Sequence, residues 1–116
     1  MGIRLLIISL CALPNLGWAQ DYACEGAQSD WSLALSATGA RFDYLDRATD
    51  LSIPQQSVAE GAQWPRAYTL IGPRDSAILI ITDQSCATAE YSAHVLTQRG
   101  ETPVLLTGCC VRTDRP

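Results

Sequence analysis

Apolar and polar positions alternate over short stretches of this chain, and no long window sustains a helical period. In DWSLALS, Trp31, Leu33 and Leu35 share one face, with Ser32, Ala34 and Ser36 on the other. RFDYLD alternates again, with Phe42 and Tyr44 opposite Arg41, Asp43 and Leu45. ATGA between them supplies a turn at Gly39, so the two runs predict a hairpin. DLSIP predicts a short third strand stopped by Pro54, because proline cannot donate to a ladder. QQSVAEGAQWP is irregular and reads as a surface loop. RAYTLIG and SAILIIT flank GPRD, where Gly72 and Pro73 favour a tight turn, and predict a second hairpin over residues 66–82. DQSCATAEYS is a small, polar loop that carries Cys86 and has room for one helical turn. AHVLTQ and TPVLLTGCCV predict a last hairpin around RGE.

Six or seven short strands in successive hairpins predict an all-β fold. The form expected is a small antiparallel meander, closed into a barrel or folded as a sandwich. Closure removes exposed edges. The charged tail RTDRP is expected to fray from about residue 112.

The N-terminus changes the picture of compartment. Arg4 precedes nine apolar residues, Leu5 to Leu13, and Gly17 and Ala19 sit at −3 and −1 of a cut before Gln20. This is the layout of a secretory signal peptide at residues 1–19. The apolar run covers about half of the ~20 residues a bilayer core requires. Cys11 follows Leu10, where a lipoprotein signal needs a small residue, so lipid anchoring is not the expectation. Cleavage would leave one domain, residues 20–116, of 116 − 19 = 97 residues, with no second stretch long enough to span a membrane. The expected location is the periplasm. Arg4 leaves with the signal, so the mature charge is 7 − 12 = −5. An acidic chain without a basic run is not built for nucleic acid.

Export also frames the cysteines, since an oxidising compartment preserves disulfides. Cys24, Cys86, Cys109 and Cys110 remain after cleavage, an even count that reads as two bridges. Adjacent strand residues point to opposite faces, so Cys109 and Cys110 are expected to bond elsewhere. Cys24, just before the first strand, and Cys86 would each take a different member of the pair. Which takes which stays open. A zinc site usually needs close C-x₂₋₄-C pairs, and these spacings offer none. No metal or other cofactor is expected.

Candidate chemistry is sparse. His94 is the only histidine; Ser92 or Ser85 and Asp83 would complete a triad on paper, but no G-x-S-x-G elbow positions a nucleophile. No catalytic residue is assigned. WPRAYTLIGPRD is the most distinctive internal stretch. Trp64, Arg66, Tyr68 and Arg74 are residue types favoured in partner-binding rims; the plainer alternative has Trp64 covering a barrel end while the arginines pair with acids.

Taken together, Cys24 with Gly26 and Trp31, the central Cys86 and the ending Gly108-Cys109-Cys110 resemble a family of small exported bacterial domains of unknown function. Members carry a G-x-E-P-F-W segment after the first cysteine. Here GAQSDW lacks its Pro-Phe, and CATAEYS lacks the acidic stretch usual after the central cysteine. The chain is also loosely similar to the membrane-bound inhibitors of c-type lysozyme and to META domains. These resemblances imply a non-catalytic envelope domain that binds an envelope protein or, like an inhibitor, a lysozyme-like enzyme. The alternatives are a structural or envelope-stress component, and a redox or soft-metal protein using Cys109–Cys110.

Overall fold

In the computed structural model, which describes residues 21–98 and 102–114, the alternation becomes eight antiparallel strands. They are β1 (Tyr22–Gly26), β2 (Trp31–Ser36), β3 (Gly39–Tyr44), β4 (Arg47–Val58), β5 (Arg66–Ile71), β6 (Ser76–Thr82), β7 (Tyr91–Gln98) and β8 (Pro103–Arg112). Each pairs with its successor, and β8 pairs back with β1, so the sheet closes into a barrel in sequence order. No helix occurs among the described residues. The signal segment predicted at 1–19 and the turn predicted at 99–101 lie outside them.

The period-two pattern decides what fills the barrel. Leu33, Phe42, Leu70, Leu79, Ile81 and Val95 point inward and are almost wholly buried. Each such side chain contributes about 1.5–3 kcal/mol by leaving water. Outward positions on the first strands carry Glu25, Arg41, Asp43 and Asp50, all exposed. An apolar interior with charged mid-strand residues outside is the reverse of a lipid-facing barrel wall.

Two strand predictions are corrected. Cys24 lies within β1, an eighth strand that the sequence pattern did not single out, rather than before the first strand. β4 runs twelve residues, through Pro54 to Val58. Its pairing with β5 skips one residue between Ser52 and Gln55. Pro54 sits in that bulge, where its missing N–H interrupts no ladder bond. Residues 55–58 therefore belong to the strand, and the loop is confined to 59–65. The 83–90 segment forms no helical turn; Cys86 and Ala89 make an isolated bridge instead. Residues 112–114, expected to fray, are held: β8 extends to Arg112, which pairs with Asp114 at 3.0 Å, and the Thr113 N–H donates to the Asp21 carbonyl at 3.0 Å.

The seam between β1 and β8 is shaped around Trp31. Gly26 and Gly108 face each other across it. A Cβ on Gly26 would meet the Trp31 indole at 2.6 Å, and one on Gly108 would meet it at 2.7 Å. The ring fills the space both glycines leave, and its Nε1–H donates to the Thr107 carbonyl at 3.3 Å. Two bridges fasten the seam and its neighbour, Cys24–Cys110 and Cys86–Cys109, separated by 86 and 23 residues. On the chain-entropy model these are worth ~4.5 and ~3.5 kcal/mol, against a domain total of about 5–15 kcal/mol. Replacing both cysteines of a bridge by alanine should lower the urea midpoint in each case, more for Cys24/Cys110. A Cys24→Ala/Cys110→Ala protein as stable as wild type would mean that closure does not depend on the inner bridge.

Candidate functional site

The paired cysteines divide between inside and outside. Cys110 points into the barrel and bonds Cys24, its direct register partner, with Cα atoms 4.0 Å apart. Cys109 points outward and bonds Cys86, with Cα atoms 5.5 Å apart. Of the pairings the sequence left open, the structure takes Cys24 with Cys110, and there is no vicinal bond. The outer bridge lashes the 83–90 loop to the barrel wall. Cys86 and Ala89 exchange backbone hydrogen bonds at 3.1 and 2.7 Å, giving that loop a tight turn of its own.

Trp64, Arg66, Tyr68 and Arg74 do not assemble into one rim. Trp64 is half-buried at the end of the barrel where β1, β5 and β7 begin. It stacks on Tyr91 with centroids 5.2 Å apart, and the Arg66 guanidinium lies 4.2 Å from its ring centroid. Arg66 also donates from Nε to the Gln63 carbonyl at 3.1 Å. Tyr91 meets Tyr22 edge-on at 5.6 Å. Tyr68 is buried beneath this stack, where it hydrogen-bonds Arg66. Arg74 is exposed in the turn between β5 and β6, at the other end of the barrel. Trp64 and Arg66 thus close one mouth as a plug. Burial pushes Tyr22 up to about 12, with Tyr68 and Tyr91 adding to the effect and Arg66 and Arg112 opposing it. Burial also raises Tyr68, against the charge and hydrogen bond of Arg66. His94 points outward in β7 and is exposed, and its cross-strand neighbours are Ile80 and Thr107, so no acid faces it along the ladder.

The opposite mouth gathers acids around an apolar tip. Leu45 and Asp46 join β3 to β4 as a two-residue turn, with φ of 56° and 61°. Such turns normally use Asn-Gly, because both central residues need positive φ. Leucine in this conformation costs about 1–2 kcal/mol. Its side chain gains no burial in return: Leu45 is 67 % exposed, the highest among the large apolar residues described. Ser29, in the turn between β1 and β2, is also left-handed at φ 59°. The two turns border a concavity of about 540 Å³ lined by Asp30, Trp31, Ser32, Asp43, Leu45 and Asp46 among others.

A second groove, of about 560 Å³, runs along β1 and β2 beside the bridged 86–89 turn, and it shares Ser32 and Asp43 with the first. Ala23, Ala34, Ala87 and Ala89 give it small apolar walls. Glu25 and Asp43 face it from either side of Ser32, two strands apart, which sets their backbones about 10 Å apart. Arg41 also lines this groove, where it is paired with Asp50 at 2.8 Å, and Arg47 is paired with Asp75 at 3.2 Å. Glu25, Asp30, Asp43 and Asp46 have no arginine partner among the described residues. Their field over the two connected hollows is therefore negative.

Sequence reasoning missed this end. It placed Leu45 on the strand with Arg41 and Asp43, because YLDR contains no glycine or asparagine to announce a turn. The usable signal was spacing: two alternating runs separated by only two residues.

No protein-family model, no curated protein and no solved structure matches the chain. What fold and site define is a class: a disulfide-stapled, eight-stranded meander barrel with an aromatic plug at one end and an acidic, leucine-tipped mouth at the other.

The plug has a pH signature. Unfolded tyrosine ionises near pH ~10, whereas folded Tyr22 keeps its proton to about 12. Between those values the folded form binds more protons. Stability is therefore intact below pH ~10 and falls as pH rises towards ~12, by about 1.4 kcal/mol per unit for this group. Tyr68 acts in the same direction. Urea midpoints and tyrosinate absorbance measured from pH ~9 to ~11.5 should show late ionisation and falling stability together. A flat stability profile with ordinary tyrosine titration would contradict the buried plug.

Proposed function

We propose that this is a non-catalytic, periplasmic binding module of the bacterial envelope that engages a basic protein through its acidic mouth in the manner of an inhibitor. The carrying observation is Leu45: a leucine held in a left-handed turn, exposed, and flanked by Asp43, Asp46 and Asp30. Strain without burial at a loop tip costs stability, and such sites tend to be functional. A projecting apolar side chain ringed by carboxylates suits the cleft of a basic partner: the acids steer encounter, and the leucine supplies the desolvated anchor. A lysozyme-like enzyme is one partner of that chemistry; a basic envelope protein is another. The two disulfides are the chemistry of an oxidising compartment, which supports the envelope setting. The redox or soft-metal alternative needs neighbouring free thiols at Cys109 and Cys110, and both sulfurs are engaged in separate long-range bridges on opposite faces. No observation favours a purely structural role over binding.

The test separates binding from folding. Leu45→Gly relieves the left-handed strain and should raise stability by about 1 kcal/mol while weakening binding at least tenfold. Asp43→Asn/Asp46→Asn should weaken binding and flatten its salt dependence. The probes are a c-type lysozyme, by titration calorimetry and lytic assay, and a bacterial envelope extract passed over immobilised protein with salt elution. Wild type should retain a basic protein that the variants release. Equal retention by all three, or no retained protein and no lysozyme binding, overturns the proposal.

A further inference from the structure

The two bridges differ in access and in what they hold. Cys24 and Cys110 are only 3 % and 0 % exposed, whereas Cys86 and Cys109 are partly exposed. Cys86 and Cys109 both line the hollow of about 560 Å³ beside the 86–89 turn, together with Ala23, Ala34 and Val111. A thiol entering that hollow meets the outer bridge without disturbing the core, and access of this kind governs where a disulfide exchanges. The 83–90 segment has little else to keep it on the wall. Apart from Cys86, DQSCATAE contains no apolar side chain larger than alanine, and six of its eight residues are exposed. Its backbone hydrogen bonds run from the Gln84 N–H to the Thr82 carbonyl and between Cys86 and Ala89, so they stay within the loop and its entry. Ala87 is held left-handed at φ 53°, a conformation that alanine leaves when it is free to do so. Few buried contacts and self-contained bonds are the marks of a segment that opens independently of the core.

We infer that Cys86–Cys109 is a thiol–disulfide exchange site for a dithiol protein of the Cys-x-x-Cys class, and that its reduction releases the 83–90 strap while the inner bridge keeps the barrel closed. One reductant thiolate attacks a sulfur of the bridge and bonds to it, and the other sulfur leaves as a thiolate that takes up a proton. The reductant's second thiol then attacks its own sulfur in the mixed disulfide. The reductant departs as a disulfide, and Cys86 and Cys109 remain as thiols, having gained two electrons and two protons. With the strap released, the hollow loses the side formed by Ala87, Thr88 and Ala89 and becomes an open face of β1 and β2. Only Cys109 of the adjacent pair takes part, because Cys110 stays bonded to Cys24 across the seam.

Amide hydrogen exchange of the disulfide-bonded protein, read by NMR before and after treatment with reduced thioredoxin as the dithiol probe, tests this. Thioredoxin should reduce Cys86–Cys109 and spare Cys24–Cys110. Exchange at the amides of residues 86 and 89 should then rise roughly tenfold or more, while those of β1 and β8 keep their protection. Cys86→Ser/Cys109→Ser, never exposed to reductant, should show the same fast loop on a folded barrel. Three results overturn the inference. They are an outer bridge that thioredoxin leaves intact, a loop as protected in the reduced protein and the double variant as in the oxidised protein, and a barrel that unfolds once this bridge alone is lost. Neither readout needs a partner at the acidic mouth, so this proposal and the binding proposal fail separately.

Discussion

A pleated strand turns successive side chains to opposite sides, and at Cys109–Cys110 that alternation holds the molecule together. The inward sulfur reaches across the seam to Cys24 and joins the first strand to the last. The outward sulfur reaches to Cys86 and ties down the longest described loop between the later strands. Without closure, β1 and β8 would be edges with unpaired backbone groups. With it, every strand has two neighbours, and the interior is sealed around Phe42, Leu70 and Leu79. Gly26 and Gly108 belong to the same device, because a side chain on either would collide with the Trp31 indole that packs over the seam.

A barrel stapled in this way can present different surfaces around its wall and at its two mouths. The plugged mouth is aromatic, and its arginines, Arg66 and Arg112, are engaged within the fold. The other mouth carries strain and carboxylates that the fold itself leaves unpaired by arginine. The outward strand positions carry charges of both signs along β1–β4 and none along β5–β8. This partition follows from which residue types occupy alternate positions, since the period of two assigns each to core or surface. Stability comes from the shared interior and the bridges, while binding is assigned to what the alternation leaves outside.

How much was legible in the sequence varies with the kind of signal. The hairpins at 31–44 and 66–82 were visible because their apolar residues alternate cleanly across glycine-bearing turns. The inward and outward cysteines followed from the same alternation, though not the choice of Cys110 for Cys24, which depends on the register of β1 against β8. β1 was hidden because Tyr22, Cys24 and Gly26 make only a short inward face. The extent of β4 was hidden because Pro54 reads as a stop unless a bulge absorbs it. Tyr68 looked like a rim residue by composition, yet its parity with Leu70 sends it inward. Leu45 was the largest omission: local propensity argues against a leucine in a left-handed turn, and only the two-residue spacing between the alternating runs pointed to one.

The central claim is that adjacent cysteines serve opposite faces of one closed barrel. Graded reduction with trapping of the freed thiols, read by tandem mass spectrometry, tests it most directly. Cys24 and Cys110 are buried, whereas Cys86 and Cys109 are partly exposed. Mild reductant should first label Cys86 and Cys109 together, leaving a species in which Cys24 and Cys110 remain bonded and resist reduction until the protein unfolds. Labelling Cys24 together with Cys86, or recovery of a bond between Cys109 and Cys110, would contradict it.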